Sequence, residues 1–175
     1  QAPGDFMAKN LELAADQLKL LSYGMMKAGG MDVDAAAAPD KGDRRFSNPA
    51  WSEKLTFDLI KQSYLLTSKY VMNTVGAANL EPQQQRKLDF YSKQMMDAFS
   101  PSNFAATNPE VLQAIAESKG GSLLKGLKNL AGDFVEGKGK LKISMVDKSK
   151  FEVGVNIATT PGKVVFQNDL MQLIQ

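Results

Sequence analysis

From Met7 onward, apolar side chains return at Leu11, Ala14, Leu18, Leu21 and Met25. Alternating steps of four and three make the narrow seam of a helix that meets another helix, and Leu13 and Leu20 widen it on one side. Two accounts of this stretch stand side by side: an amphipathic helix packed on its own domain, or an arm that pairs with itself or with a partner through the seam. Residues 29–42, GGMDVDAAAAPDKG, are small and acidic with Gly, Pro and Asp breakers. That is the composition of a flexible linker, so residues 1–28 are expected to form a separable helical arm.

Asn48-Pro49-Ala50-Trp51 supplies an N-cap followed by proline at the first helical position. The apolar positions Leu55, Leu59, Ile60, Leu65, Leu66, Tyr70, Val71 and Val75 predict one continuous, centrally buried helix from there to Gly76. Pro82 opens a third helix through Leu88, Tyr91, Met95 and Phe99, stopped by Ser100-Pro101 and expected antiparallel to the second. Thr107-Asn108-Pro109-Glu110 repeats the cap-then-proline signal for a fourth helix, broken by Gly120-Gly121. Ser122 reads as the cap of a fifth, which carries Leu123, Leu127, Leu130 and Phe134 and ends near Gly137.

The pattern then changes. Leu141, Ile143 and Met145 alternate with Lys140, Lys142 and Ser144, the period of a half-buried strand. Residues 151–158 are ambiguous, Thr159-Thr160-Pro161-Gly162 reads as a turn, and residues 163–167 and 170–174 read as strands joined through Asn168-Asp169. The fold class expected is mainly α: a bundle of about five helices with an N-terminal amphipathic arm and two or three short C-terminal strands. The organisation expected is an arm at 1–28, a linker at 29–42, a helical domain at 43–137 and a mixed strand segment at 138–175. So few strands make no independently stable sheet, which predicts that a larger domain continues it.

Composition sharpens the functional side. The 175 residues contain no cysteine and no histidine. Without imidazole or thiolate there is no base for a serine nucleophile, no Cys nucleophile, no disulfide and no zinc site built on nitrogen and sulfur. Lys plus Arg is 21 against Asp plus Glu 19, a net charge of +2, which gives no global drive toward nucleic acid or anionic membrane. No stretch is long enough to span a membrane and no signal peptide is visible, so the chain reads as soluble and cytoplasmic. It begins at Gln1 and ends in the apolar residues 170–175, which reads as a segment cut from a longer chain.

Candidate motifs fail one by one. Gly132 and Gly137-Lys138 have the spacing of a phosphate loop, but Gly139 replaces the Ser/Thr that holds magnesium, and the helix precedes the loop instead of following it. Asp32, Asp34, Asp40 and Asp43 lack a calcium-loop register. Gly120-Gly121-Ser122 lacks both the last glycine of a nucleophile elbow and a histidine. Lys138, Lys140, Lys142, Lys148 and Lys150 form a basic run that reads as a lysine-guarded edge or as a surface for a phosphate-rich or acidic partner. Met25, Met26 and Met31 suit an adaptable apolar surface. No catalytic residue, cofactor or metal is expected on this chain.

Four separated runs nevertheless stand in a recognisable order: Asp43-Arg44-Arg45-Phe46 with Asn48-Pro49-Ala50-Trp51; Lys61-Gln62-Ser63-Tyr64-Leu65-Leu66; Ser100-Pro101-Ser102-Asn103-Phe104 with Thr107-Asn108-Pro109-Glu110; and Ala158 to Asn168 around Pro161-Gly162. Together they resemble the N-terminal region of polyhydroxyalkanoate synthases, most closely class I, the poly(3-hydroxybutyrate) type, over residues 43–175. The resemblance implies structural roles for Arg44, Arg45, Phe46, Trp51, Tyr64, Ser102, Asn103, Phe104, Asn108, Pro109, Pro161 and Gly162. It implies a parent enzyme that polymerises (R)-3-hydroxyacyl-CoA on an α/β-hydrolase domain with Cys, His and Asp, none of which maps onto this chain. The partners implied are the catalytic domain of the same enzyme, a second copy, and a granule-associated protein or polyester surface, with location in the cytoplasm or at that surface. A freestanding phasin-like protein coating hydrophobic granules is the alternative.

Overall fold

The computed structural model describes residues 3–143 and 145–175. Six helices come in order: α1 (Pro3–Ala28), α2 (Ala50–Glu53), α3 (Leu55–Gly76), α4 (Pro82–Ala98), α5 (Pro109–Glu117) and α6 (Gly121–Glu136). Short 3-10 turns occupy Arg44–Phe46, Pro101–Asn103 and Lys148–Lys150, and two strands, β1 (Val164–Gln167) and β2 (Gln172–Ile174), close the chain. Mainly helical architecture with a small C-terminal sheet is therefore what the chain adopts. It divides into two compact units, residues 1–122 and 123–175, so the boundary falls in the first turn of α6 and not after residue 137.

In the first unit α3 is the axis, with α1, α2 and α4 laid against it. The Gln85 amide donates to the Val75 carbonyl (3.0 Å), and the Tyr64 hydroxyl donates to the Met96 carbonyl (3.0 Å). The start of α4 thus meets the end of α3, which makes the pair antiparallel as expected. Several details depart from the sequence pattern. The helix begun at Pro49 is interrupted at Lys54, whose backbone is extended (φ −100°, ψ 111°). The interruption swings Trp51 inward: it is 1% exposed, edge-on to Phe46 (5.0 Å) and Phe57 (6.0 Å). Burying that indole outweighs one unbroken helical turn.

The arm is not detached. Leu20 and Tyr23 of α1 form a buried cluster with Leu66 of α3. Gly24 allows this approach, since a Cβ there would stand 3.2 Å from Leu59 Cδ2. Nor does the segment that was expected to be a flexible linker hang free. It is irregular, but Val33, Ala36 and Ala37 pack on the same cluster, and the Ala36 and Ala37 amides donate to Gln62 Oε1 (2.7 and 3.2 Å).

Local hydrogen bonding sets the remaining boundaries. Asn108 caps α5, its side chain accepting from the Glu110 and Val111 amides. The start of α6 is held by Ser118, whose hydroxyl accepts from the Ser122 amide (3.1 Å), so Ser122 is the capped residue and not the cap. Lys119 and Gly120 take left-handed conformations between the two helices (φ 49° and 85°).

In the second unit, a Cβ on Gly137 would fall 1.7 Å from the Lys140 carbonyl oxygen, so only glycine fits at the end of α6. Residues 141–143 and 145 form no strand, because no neighbouring strand pairs with them; Ser144, part of that expected alternation, lies outside the described residues. Residues 159–162 bend without closing a hydrogen-bonded turn. The strands β1 and β2 are antiparallel, pairing Val164 with Ile174, Phe166 with Leu173 and Gln167 with Gln172, with an irregularity between Val164 and Phe166. Their connection is a four-residue loop, not a two-residue turn, in which Asn168 Oδ1 accepts from the Leu170 and Met171 amides (2.9 Å each).

Candidate functional site: a polar-anchored helical platform

The first two motifs meet in the first unit, beside the end of α4 that the third motif closes. Arg45, fixed by the 3-10 turn at Arg44–Phe46, grips Asp43 through Nε and Nη2 (2.9 Å each) and donates from Nη1 to Tyr64 Oη (2.8 Å) and Asp97 Oδ1 (2.9 Å). Its guanidinium also lies over the Phe46 and Tyr64 rings at 5.6 and 5.5 Å. One planar cation therefore ties the chain before α2 to α3 and α4. The hydrogen bonds to Asp43 push the Arg45 guanidinium above its ordinary range, and those same bonds hold the Asp43 carboxyl below the usual carboxylate range.

The third motif is a corner after α4. Ser100 is fully buried and its hydroxyl pairs with Ser102 (2.8 Å). The Asn103 amide donates to the Asp97 and Ala98 carbonyls, finishing α4 (2.9 and 3.2 Å). Asn108 donates to the Ser102 carbonyl (2.7 Å) and Thr107 to that of Pro101 (2.6 Å). Pro101 and Pro109 are buried, whereas Arg44 and Phe104 face solvent. Pro161 and Gly162 sit in the second unit; a Cβ on Gly162 would meet Ile174 Cγ2 at 2.7 Å, which explains the glycine beside the hairpin.

A second network, which the apolar pattern did not reveal, joins α1 to α3. Asp58, Lys61 and Gln62 are buried on the inner face of α3 alongside Leu66. Tyr23 Oη donates to Asp58 Oδ2 (2.5 Å), the Gln62 amide donates to the same oxygen (2.9 Å), and Lys61 Nζ pairs with Asp58 Oδ1 (2.9 Å) and reaches Ser52 Oγ (3.2 Å). Burial, reinforced by the hydrogen bond to Asp58, pushes the Tyr23 phenol up to about 12. The steps of three and four from Asp58 to Lys61, Gln62 and Leu66 place these residues on one helical face, so the available signal was three polar residues in register with a core leucine.

The predicted seam lies elsewhere. Met7, Leu11, Leu18, Leu21 and Met25 are 59–68% exposed, and Ala14 is exposed with them. Because α1 docks through Leu20 and Tyr23, the seam points away from α3. An open apolar groove of about 640 Å³ runs beside it, lined by Leu21, Gly24 and Met25 of α1 and by Leu59, Ile60 and Ser63 of α3. The α4 seam is outward too: Tyr91, Met95 and Phe99 are more than half exposed. Among the described residues no group of three or more His, Cys, Asp or Glu side chains could hold a metal, and no helix is long and apolar enough to cross a membrane.

Motif residues that bind helices together beneath outward apolar faces define a helical domain held by polar anchors. The chain belongs to the family described as the poly-beta-hydroxybutyrate polymerase (PhaC) N-terminus, whose model matches residues 42–175. It is 42% identical over 147 residues to the poly(3-hydroxyalkanoate) polymerase of Methylorubrum extorquens, covering 83% of this chain and 24% of that protein. It is 40% identical over 133 residues to the poly(3-hydroxyalkanoate) polymerase subunit PhaC of Cupriavidus necator, covering 76% and 22%. With the Rhizobium meliloti subunit the identity is 38% over 152 residues, covering 86% and 25%. The chain thus spans about a quarter of the length of the curated relatives it matches. No solved structure matches it.

Proposed function

We propose that this domain is the non-catalytic assembly portion of a polymerase that joins (R)-3-hydroxyacyl-CoA units into polyester, supporting dimerisation and activity and associating with the granule surface or its proteins. The relatives' names, poly(3-hydroxyalkanoate) polymerase, support polyester formation, and the (R)-3-hydroxyacyl-CoA donor is what the family resemblance implies. The absence of cysteine and histidine leaves the bond-making to other parts of the protein. One observation carries the assembly role: the α1 seam is exposed along its whole length while the opposite face of the same helix is docked by Leu20 and Tyr23. An apolar stripe held rigidly in water gains free energy from any surface that covers it.

The test is a full-length polymerase carrying this domain with Leu11, Leu18 and Leu21 each changed to Gln. We expect unchanged helical content, a longer lag before polymerisation, and a severalfold lower recovery on sedimented granules. An enzyme with the parental lag, oligomeric state and granule recovery would rule the assembly role out.

A further inference from the structure

The near-even charge of the whole chain conceals a local surplus. Residues 123–142 carry five lysines, Lys125, Lys128, Lys138, Lys140 and Lys142, against Asp133 and Glu136. That surplus exceeds the +2 of the entire chain, so the remainder is net negative. In the first unit Lys19, Lys27, Arg45, Lys61, Lys69 and Lys93 each meet a carboxylate at 2.9–3.8 Å. The five lysines of the later stretch are exposed and form no ion pair among the described residues. This unpaired charge borders an apolar face. At about 100° per residue, Leu123, Leu127, Leu130 and Phe134 line one side of α6 and Leu124 and Val135 extend it. All six are 43–79% exposed. Asp133 and Glu136 fall on the opposite side of the helix, and Lys128 falls at the edge of the apolar face beside Leu124 and Val135.

We propose that α6 and the lysines that follow it dock on an anionic phospholipid surface, with the helix lying in the plane of the headgroups. The proposal goes beyond the assembly role and does not depend on it. Lysine is depleted from the core of protein–protein interfaces, whereas beside lipid its carbon stem lies along the apolar boundary while the ammonium reaches the phosphates. The sixteen residues of α6 extend about 24 Å, which falls short of a hydrocarbon layer about 30 Å thick and leaves an interfacial position as the arrangement open to it. The unit that holds residues 123–175 has no buried side chain among the described residues, so placing the leucines and Phe134 among acyl chains disrupts no core. The α1 seam lacks this charge signature, because Lys19 pairs with Asp16 (3.8 Å) and Glu12 is held by Lys69 (3.2 Å). Apolar face and unpaired charge coincide on α6, and an anionic surface with an apolar interior satisfies both.

The test is flotation with vesicles of equal phosphatidylglycerol and phosphatidylcholine, using both this chain and a full-length polymerase that carries it. We expect both proteins to float with these vesicles and to bind pure phosphatidylcholine at least about tenfold more weakly. Changing Lys125, Lys128 and Lys138 together to Gln should weaken binding about a hundredfold at low salt, since one lysine near an anionic surface is worth roughly fivefold. Leu127→Gln combined with Phe134→Gln should abolish binding while the emission of the buried Trp51 stays unchanged. In a Phe134→Trp variant of this chain, brominated acyl chains should quench the new indole and spare Trp51. A variant with Leu11, Leu18 and Leu21 changed to Gln should bind these vesicles as the parent does. No flotation of either protein, binding indifferent to lipid charge, binding that survives the loss of Leu127 and Phe134, or binding lost with the α1 substitutions would each overturn the proposal. So would vesicle binding by this chain that the full-length polymerase lacks, which would mean that the rest of the polymerase covers α6.

Discussion

Residues 3–122 hold every buried side chain found among the described residues, whereas residues 123–175 hold none. The difference does not follow hydrophobicity. The second unit is rich in Leu, Ile, Val and Phe, yet Leu123, Leu127, Leu130 and Phe134 on α6 and Val164, Phe166, Leu173 and Ile174 on the hairpin are all 43–65% exposed. The first unit buries Asp58, Lys61, Gln62, Ser92 and Ser100 beside Trp51 and Leu66. Burial follows the availability of a second surface. Where helices lie side by side, even charged groups go inside once their hydrogen bonds are met. A lone helix and a two-stranded hairpin are shaped by caps and side-chain turns, with no core beneath them.

The largest expected effect separates the two units. Trp51→Ala should cost about 3–5 kcal/mol of denaturant stability, while Leu127→Ala stays within about 0.5 kcal/mol in the same chain. Equal losses would erase the contrast. Next comes the buried pair. Asp58→Ala strands the Lys61 ammonium and should cost about 3 kcal/mol, and adding Lys61→Met should restore most of the loss, which a double-mutant cycle in urea would read.

The tyrosine gives a pH test of the same network. A phenol whose folded pKa is raised from 10.0 to about 12 contributes stability that is fully present below pH 10 and is lost as the pH climbs through 12. Melting temperatures taken across that window should fall more steeply for the parent than for Tyr23→Phe, which itself should be about 2 kcal/mol less stable at neutral pH. The smallest effect concerns a cap. Asn108→Ala should cost about 1 kcal/mol, visible as faster amide exchange at Glu110 and Val111 before any change in global unfolding.

What could be read from the chain was its local chemistry. Proline at the first helical position marked α4 and α5, Asn108 marked the α5 cap, and the strand-like residues 163–167 and 170–174 marked the hairpin. The polar anchor was hidden because it is non-local: Tyr23 and Asp58 are 35 residues apart, and Arg45 and Asp97 are 52 apart. Lys54 has no sequence signal for extended backbone, because its conformation follows from where Trp51 packs. The alternation from Lys140 to Met145 has strand period but no ladder to join, and period alone does not make a strand. The apolar spacing of α1 marks the exposed stripe, whereas the docking face is built on Leu20, which that spacing places at the stripe's margin, and on Tyr23, which it does not mark at all.

Gln62 uses both ends of its amide, the oxygen toward the Ala36 and Ala37 backbone and the nitrogen toward Asp58, which in turn holds Tyr23. Segment 33–37 and α1 therefore share a single fastening. Prising off the segment leaves the enclosed Gln62 oxygen without a donor, and prising off α1 takes Tyr23 from the carboxylate that orients the same Gln62 amide, so the two should come away in one concerted opening. A protease that nicks the chain near Ala36 should accordingly cut at the same rate as the hydroxyl of Tyr23 becomes accessible to solvent.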